Sequence, residues 1–158
     1  MKTETEKFEV KFRGERVGKK GFIYGMPTYD LKYIFNKDSL NSPDDYEVIP
    51  ETVGRFINKK DIHNNDLYQG DIVRWGMMEN GLEALIRYAV IEINPDIQFR
   101  IIFYINPETN ERVETGGKVF NYGNFIYEST ELYLENIGNI HQNPELLKTK
   151  NLSHDQKS

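Results

Sequence analysis

The chain has 158 residues and contains no cysteine. This absence excludes disulfide bonds, thiolate metal sites and cysteine nucleophiles, and it is typical of proteins from a reducing compartment. No apolar run approaches the roughly 20 residues of a membrane-spanning helix. The first seven residues, MKTETEK, lack the apolar segment of a signal peptide. The sequence therefore predicts a cytoplasmic protein.

Motifs of catalysis and of cofactor binding are equally scarce. The sequence contains no Gly-x-Ser-x-Gly, no Walker-type phosphate loop and no dinucleotide fingerprint. The three histidines, His63, His141 and His154, do not have the spacing of metal ligands, and the acidic residues near His63 lack the pattern of a calcium loop. We predict no catalytic residues, no metal site and no cofactor, and hence a protein that is not an enzyme.

Aromatic residues, in contrast, are abundant. Ten Tyr, nine Phe and one Trp make up 13% of a chain whose hydrophobic fraction is only 38%. Large rings bury much area per residue and favour pleated surfaces, so they can build a compact β core with few aliphatic residues. Tyrosine beyond the needs of the core is also common at protein interfaces. The length suits one domain or two very small ones.

The charge balance is acidic, with 25 acidic and 20 basic residues and a formal charge of −5. An acidic protein has no long-range attraction to phosphate backbones. Generic coating of DNA or RNA is therefore disfavoured, although a local basic patch stays open as an alternative.

Two segments in the first quarter of the chain alternate apolar and polar residues. Residues 8–13 and 29–35 each place their apolar side chains on one face, and those side chains are Phe8, Val10, Phe12, Tyr29, Leu31, Tyr33 and Phe35. Such alternation predicts half-buried strands. We expect the first strand to form a hairpin with residues 21–25 across the Gly- and Lys-rich turn Gly14–Gly21.

Later segments add strands and one short helix. We predict strands at residues 47–57 with a bend at Pro50, 72–75, 83–93, 98–105, 120–127 and 132–140. Segment 83–93 begins with helix formers, but its β-branched and aromatic residues favour a strand. Residues 36–45 and 76–81 are predicted to be loops. A helix is expected to begin at Asn143, because Asn can cap it, Pro144 suits its first turn and Glu145 complements its dipole.

Four short motifs follow one another along the chain in a characteristic order. They are Lys11–Gly14 (KFRG), Glu47–Gly54 (EVIPETVG) followed by Phe56, Leu67–Val73 (LYQGDIV) and Asn136–Leu147 (NIGNIHQNPELL). In this order the chain resembles the YopX family of small phage and prophage proteins, for which no activity is established.

The chain departs from that family in the turn before the third motif. Asn64-Asn65 stands where the family has Asn-Gly, and Gln69 stands where it has Glu. Because Asn tolerates the left-handed backbone region, the turn can be retained. The missing carboxylate at Gln69 argues against catalysis there. After the turn, Gly70 allows the positive φ of a sharp corner.

The resemblance implies an α+β protein that is predominantly β. We expect a small N-terminal antiparallel β domain at residues 8–60, packed on an SH3-like β-barrel at residues 61–147 that ends in the short helix. Residues 1–7 and 148–158 are expected to be flexible tails. The implied setting is the cytoplasm of a bacterial host cell.

Two functional hypotheses remain. The first is a non-catalytic binding and self-associating module, a homo-oligomer that also meets a host or phage protein. The alternative is nucleic-acid binding in phage replication or regulation. Candidate binding residues are Tyr68, Arg74 and Trp75 at the Gly-Asp corner, and the later strands add Arg87, Tyr88, Arg100 and Tyr104. Exposed Tyr68 and Trp75 rings would support stacking on bases, whereas a buried Trp75 would remove that idea.

Overall fold

The computed structural model describes residues 8–36, 43–76, 78–79, 82–83, 85–114, 117, 119–121 and 129–148. Strands predominate and every assigned strand pair is antiparallel, so the prediction of a mostly β protein with little helix is confirmed. The chain divides into two compact units, Met1–Asn58 and Lys59–Ser158. The sequence-based division lies two residues later.

The N-terminal unit contains four strands and two 3-10 helices. The strands are β1 (Phe12–Glu15), β2 (Phe22–Pro27), β3 (Ile34–Phe35) and β4 (Gly54–Lys60), and the 3-10 helices are Pro43–Tyr46 and Pro50–Thr52. The strand order is β3-β2-β1-β4, and β5 (Asp66–Tyr68) extends this sheet beside β4. The loop predicted for residues 36–45 is wrong at its end, where the chain forms the first 3-10 helix.

In the N-terminal unit, the backbone before Pro50 also pairs with neighbouring segments. Isolated bridges join Glu47 to Tyr33 and Val48 to Arg16. The segment before Pro50 therefore lies between β3 and the end of β1, with the Val48 N–H donating to the Lys32 carbonyl at 2.9 Å. The strand edges that would otherwise be open there are thus hydrogen-bonded.

The interior of this unit is small. Ile34 and Val48 are fully buried, and both lie against Gly14, where an added Cβ would come within 3.1 Å of either side chain. Only glycine fits at that position of β1 without displacing its neighbours.

The two alternating N-terminal segments are not the half-buried strands that the pattern predicts. β1 begins only at Phe12, and Phe8 and Val10 are 65% and 49% exposed. Phe12 is the first residue of β1 that pairs with β2. In segment 29–35 the chain turns first, and Ile34 points inward in place of the predicted set.

Most strands of the C-terminal unit form one antiparallel sheet. The strands that follow β5 are β6 (Asp71–Trp75), β7 (Met78–Glu79), β8 (Leu82–Glu83), β9 (Ile86–Ile93), β10 (Ile97–Ile105), β11 (Arg112–Glu114), β12 (Val119–Asn121) and β13 (Glu135–Asn139). The sheet order is β11-β10-β9-β6-β13, with β12 also paired to β10, while β7 and β8 form a separate hairpin. Helix α1 (Thr130–Tyr133) precedes β13, and a 3-10 helix (Pro144–Leu147) follows it.

One face of this sheet forms a core. Val73 lies opposite Ala89, and Ile91 lies opposite Phe99. The Trp75 ring meets the Phe99 ring edge to face, with centroids 6.0 Å apart. All five side chains are buried. The sheet thus places the single tryptophan in its core.

The strand predicted for 83–93 is confirmed as β9 over residues 86–93, because its β-branched residues pair with β6 and β10. The predicted loop at 76–81 is wrong where β7 forms, and the predicted strand at 132–140 starts with helix α1. Of the segment 120–127, residues 120–121 lie in β12 and residues 122–127 lie outside the described residues.

A short helix does follow Asn143, as predicted, but it is of the 3-10 type. Asn143 makes no side-chain cap bond to it. Its Oδ1 accepts the Asn139 N–H at 3.1 Å, so the side chain is engaged on the β13 side.

Candidate functional site

The Gly-Asp corner has the backbone that the sequence predicts. Gly70 has a φ of 95° and Asn64 in the preceding turn has a φ of 69°. The Asp71 carboxylate accepts the Tyr68 N–H at 2.7 Å, which holds the corner together. Tyr68 and Trp75, however, are only 3% and 2% exposed. Neither ring presents a face to a ligand, so the stacking surface expected from these two residues is absent.

The third candidate, Arg74, lies on the opposite face of β6 from Trp75. Its Nε donates to Glu135 at 2.9 Å and its NH1 donates to the Tyr88 hydroxyl at 3.1 Å. The hydrogen bond to Tyr88 is the largest cause that raises the pKa of Arg74 above its ordinary value, and the hydrogen bond to Glu135 is the next largest. The hydrogen bond from Arg74 conversely lowers the pKa of Glu135. The cation is therefore already matched by a carboxylate.

A row of side chains crosses the sheet from this pair. Strand register places Glu135, Arg74, Tyr88 and Phe103 opposite one another on β13, β6, β9 and β10. Tyr88 and Phe103 stack with centroids 4.5 Å apart, and the Arg112 guanidinium lies 3.8 Å from the centre of the Phe103 ring. Such cross-strand pairs stabilise sheets. The row therefore has a structural explanation.

Arg87 and Arg100, the other arginines considered for nucleic-acid binding, also bind neighbouring groups of the protein. Arg100 donates to Glu92 at 2.5 Å, and Arg87 donates to the Leu85 carbonyl at 3.1 Å and lies over Tyr104. A phosphate approaching Arg100 would have to compete with Glu92. These residues do not form a basic groove.

Asp61 is a buried carboxylate that accepts several hydrogen bonds, and it lies two residues before His63. Its Oδ1 accepts the N–H groups of His63 and Asn65 at 3.0 and 2.8 Å, and its Oδ2 accepts the Asn136 N–H at 2.9 Å. Burial alone would raise the pKa of Asp61, but the hydrogen bonds from Asn136, Asn65 and His63 outweigh it and lower the pKa. The carboxylate ties the β4–β5 turn to β13.

The histidines do not assemble into a metal centre in the part of the chain that the structure describes. The His63 Nε2 lies 3.4 Å from Glu135, which is bound to Arg74. His141 is half-buried beyond β13, and His154 lies outside the described residues. Among the residues described, no three His, Asp or Glu side chains are grouped as metal ligands would be.

Exposed apolar side chains concentrate instead on the N-terminal unit. Met26 lies directly opposite Phe35 on β2 and β3, and these side chains are 51% and 36% exposed. Tyr24, two residues before Met26 on the same side of β2, is 45% exposed. The Tyr33 ring stacks on Phe35, with centroids 6.1 Å apart. We call Tyr24, Met26, Tyr33 and Phe35 the aromatic face.

The turn between β2 and β3, next to this face in the chain, exposes two more apolar side chains, Tyr29 and Leu31. Tyr29 is fully exposed, and Leu31 is exposed with a φ of 63°, in the left-handed region. The turn is pinned by Asp30, which accepts bonds from the Thr28 hydroxyl at 2.7 Å and the Lys32 N–H at 3.1 Å. A leucine at positive φ is strained, and strain of this kind clusters at functional sites.

Sequence reasoning did not identify the aromatic face. Phe22, Tyr24 and Met26 alternate as the inner face of a strand would. The interior is filled instead by side chains from neighbouring segments, Ile34 of β3 and Val48. The available signal was the number of aromatic residues, which exceeds what so small an interior can enclose.

No protein-family model and no curated protein matches this chain. Among the residues described, no helix has the length and apolar character needed to cross a membrane.

Proposed function

We propose that this chain is a phage or prophage accessory protein of the YopX type that acts by binding and self-association, without a catalytic step or cofactor. The four motifs from Lys11–Gly14 to Asn136–Leu147 support the origin and, with it, action in the cytoplasm of a bacterial host. They also support an SH3-like barrel as the fold of the C-terminal unit, whose six-stranded antiparallel sheet is compatible with one.

The observation that carries the binding proposal is the aromatic face with its strained turn. Contiguous exposed apolar side chains on a protein surface mark interaction sites. Tyrosine, phenylalanine and methionine are enriched in protein interfaces. Leu31 is held at positive φ at a cost of about 1–2 kcal/mol, which a purely structural turn would avoid with Gly or Asn. The turn therefore displays Tyr29 and Leu31 for a partner.

Charge favours a second copy of the chain as that partner. Residues 1–58 contain ten basic and ten acidic residues, so the whole excess of five negative charges belongs to residues 59–158. Two copies that meet through their neutral units do so without net electrostatic repulsion between the surfaces that join. Leu31 is flanked by Asp30 and Lys32, one charge of each sign, which suits pairing of like surfaces.

Self-association is tested by light scattering on the purified protein over a range of concentrations. The proposal expects a mass above that of one 18.6 kDa chain, and the increase should be lost when the aromatic face is altered. A host or phage protein is a further partner under the same proposal. Passage of the purified protein through host lysate, followed by mass spectrometry, would identify it.

Nucleic-acid binding is the alternative. The C-terminal residues first considered for it give it little support, because Arg74 and Arg100 are each bound to a glutamate. Tyr68 and Trp75 are buried.

A further inference from the structure

The turn between β1 and β2 is rich in hydrogen-bond donors. Residues Val17–Lys20 are exposed, and the Arg16 N–H donates to the Gly21 carbonyl at 3.1 Å to close the turn. Gly18 and Gly21 have φ values of 75° and 94°. We call Gly18–Gly21, with the sequence Gly-Lys-Lys-Gly, the lysine tip.

Donors at the lysine tip are left for an external acceptor. Within the described chain, the N–H groups of Gly18, Lys19 and Lys20 donate to no protein acceptor. A Cβ at Gly18 or Gly21 would meet nothing within 4 Å, so the space beside the backbone is open. Successive N–H groups in a turn with a left-handed residue form a concavity that binds anions.

The two lysines add positive charge to these amides. The Lys19 ammonium lies 3.4 Å from the Asp45 carboxylate, with both groups exposed. Such a pair contributes only about 0–1 kcal/mol, so an anion can displace it. Lys20 has no ion pair among the described residues. Each ammonium offers three donors.

We propose that the lysine tip binds a phosphate group. Phosphate has several acceptor oxygens and can take the backbone N–H groups and an ammonium at once, which charge-assisted hydrogen bonds favour. The group has two sources, a free phosphate compound or the backbone of a single-stranded nucleic acid. Because the N-terminal unit has no net charge, binding depends on the local donors and is sensitive to salt.

This site shares no residue with the self-association surface. The lysine tip ends at Gly21, before β2 begins, and the first member of the aromatic face along the chain is Tyr24 on β2. The two proposals can therefore fail independently.

The experiment is a titration of the 15N-labelled full chain, followed by backbone amide NMR. One arm adds sodium pyrophosphate and the other adds a 12-nucleotide oligothymidylate. The proposal expects the amide signals of Gly18–Gly21 to shift, saturably, in at least one arm. Shifts in both arms mean that a free phosphate is sufficient, and shifts in the oligonucleotide arm alone assign the site to nucleic acid. No shift at the tip in either arm overturns the proposal.

Variants separate the tip from general charge effects. The double variant Lys19→Ala, Lys20→Ala should weaken binding about tenfold, as expected for the loss of two charge-assisted contacts. Lys148→Ala removes an exposed lysine of the other unit and should leave binding unchanged. For the oligonucleotide, two phosphate contacts predict a slope of roughly −1.4 for the logarithm of the binding constant against that of salt concentration. Equal loss in both variants would contradict a site at the tip.

Discussion

The Asp61 carboxylate accepts the backbone N–H of Asn136, 75 positions further along the chain, at 2.9 Å. The same carboxylate is only 1% exposed and also holds the amides of His63 and Asn65. A residue that sequence reasoning considered beside a metal candidate is thus a structural tie between the β4–β5 turn and β13.

Asp61→Asn should destabilise the protein by about 1–3 kcal/mol, because the new side-chain NH2 group would face the part-buried Asn136 N–H, which then lacks an acceptor. Asp66→Asn is the matched control, since Asp66 pairs with Lys60 near the surface and its loss should cost less than about 1 kcal/mol. Urea unfolding measures both. Equal effects of the two substitutions would contradict the structural role of Asp61.

Acid should remove the contribution of Asp61. Its pKa in the folded protein lies below the ordinary value of 3.8, so its stabilisation is complete above the pKa of the unfolded chain and is lost as pH falls through the folded value. The free energy of unfolding of the natural protein should therefore decline below about pH 4 more steeply than that of Asp61→Asn. Parallel pH profiles of the two proteins would refute this assignment.

Trp75 is the only tryptophan, so its fluorescence reports burial directly. Emission of the native protein should be blue-shifted and poorly quenched by iodide, and it should move to the red in urea. Trp75→Ala should cost about 3–5 kcal/mol, because the ring packs on Phe99 in the core. Strong iodide quenching of the native protein would place the ring on the surface instead.

Substitution of two glycines with positive φ separates the stability cost of backbone strain from that of a steric clash. A Cβ at Gly25 would run into the backbone carbonyl of Phe35, whereas one at Gly18 has open space. Gly18→Ala should cost about 1–2 kcal/mol from the left-handed backbone alone. Gly25→Ala should cost about 1–3 kcal/mol more, because the pairing of β2 with β3 must shift. Thermal unfolding of the two variants measures the difference, and equal costs would contradict the close approach of β2 and β3.

Leu31→Gly separates stability from binding. Glycine relieves the positive φ of 63°, which gives about 1–2 kcal/mol, less about 0.5–1 kcal/mol for the greater freedom of the unfolded chain. The variant should be at least as stable as the natural protein in urea, yet should self-associate more weakly because an exposed apolar side chain is gone. A variant that loses stability would show that Leu31 packs for structure.

The strands of the C-terminal unit were the most predictable part of the fold. β9 and β10 are long and rich in β-branched and aromatic residues, and the Gly70 corner and the Asn64 turn follow from local backbone preferences. Local preference decides such elements with little help from the rest of the chain.

The N-terminal unit was less predictable, because its apolar side chains lie on both sides of the sheet. Alternation in β2 shows that Tyr24 and Met26 share a face but cannot show whether that face is inside. Which face is buried depends on Ile34 and Val48, which fill the interior against Gly14. This is a long-range packing effect. The burial of Trp75 depends likewise on β10, which supplies Phe99.

The central claim is that the aromatic face joins copies of this chain, and sedimentation equilibrium tests it most directly. The natural protein should have a mass above 18.6 kDa that rises with concentration. The double variant Met26→Lys, Phe35→Lys should sediment as a single chain with an unchanged circular dichroism spectrum. The control Leu132→Lys alters an exposed residue of α1 in the other unit and should associate like the natural protein. A natural protein that stays at 18.6 kDa at every concentration, or a double variant that still associates, would contradict the account.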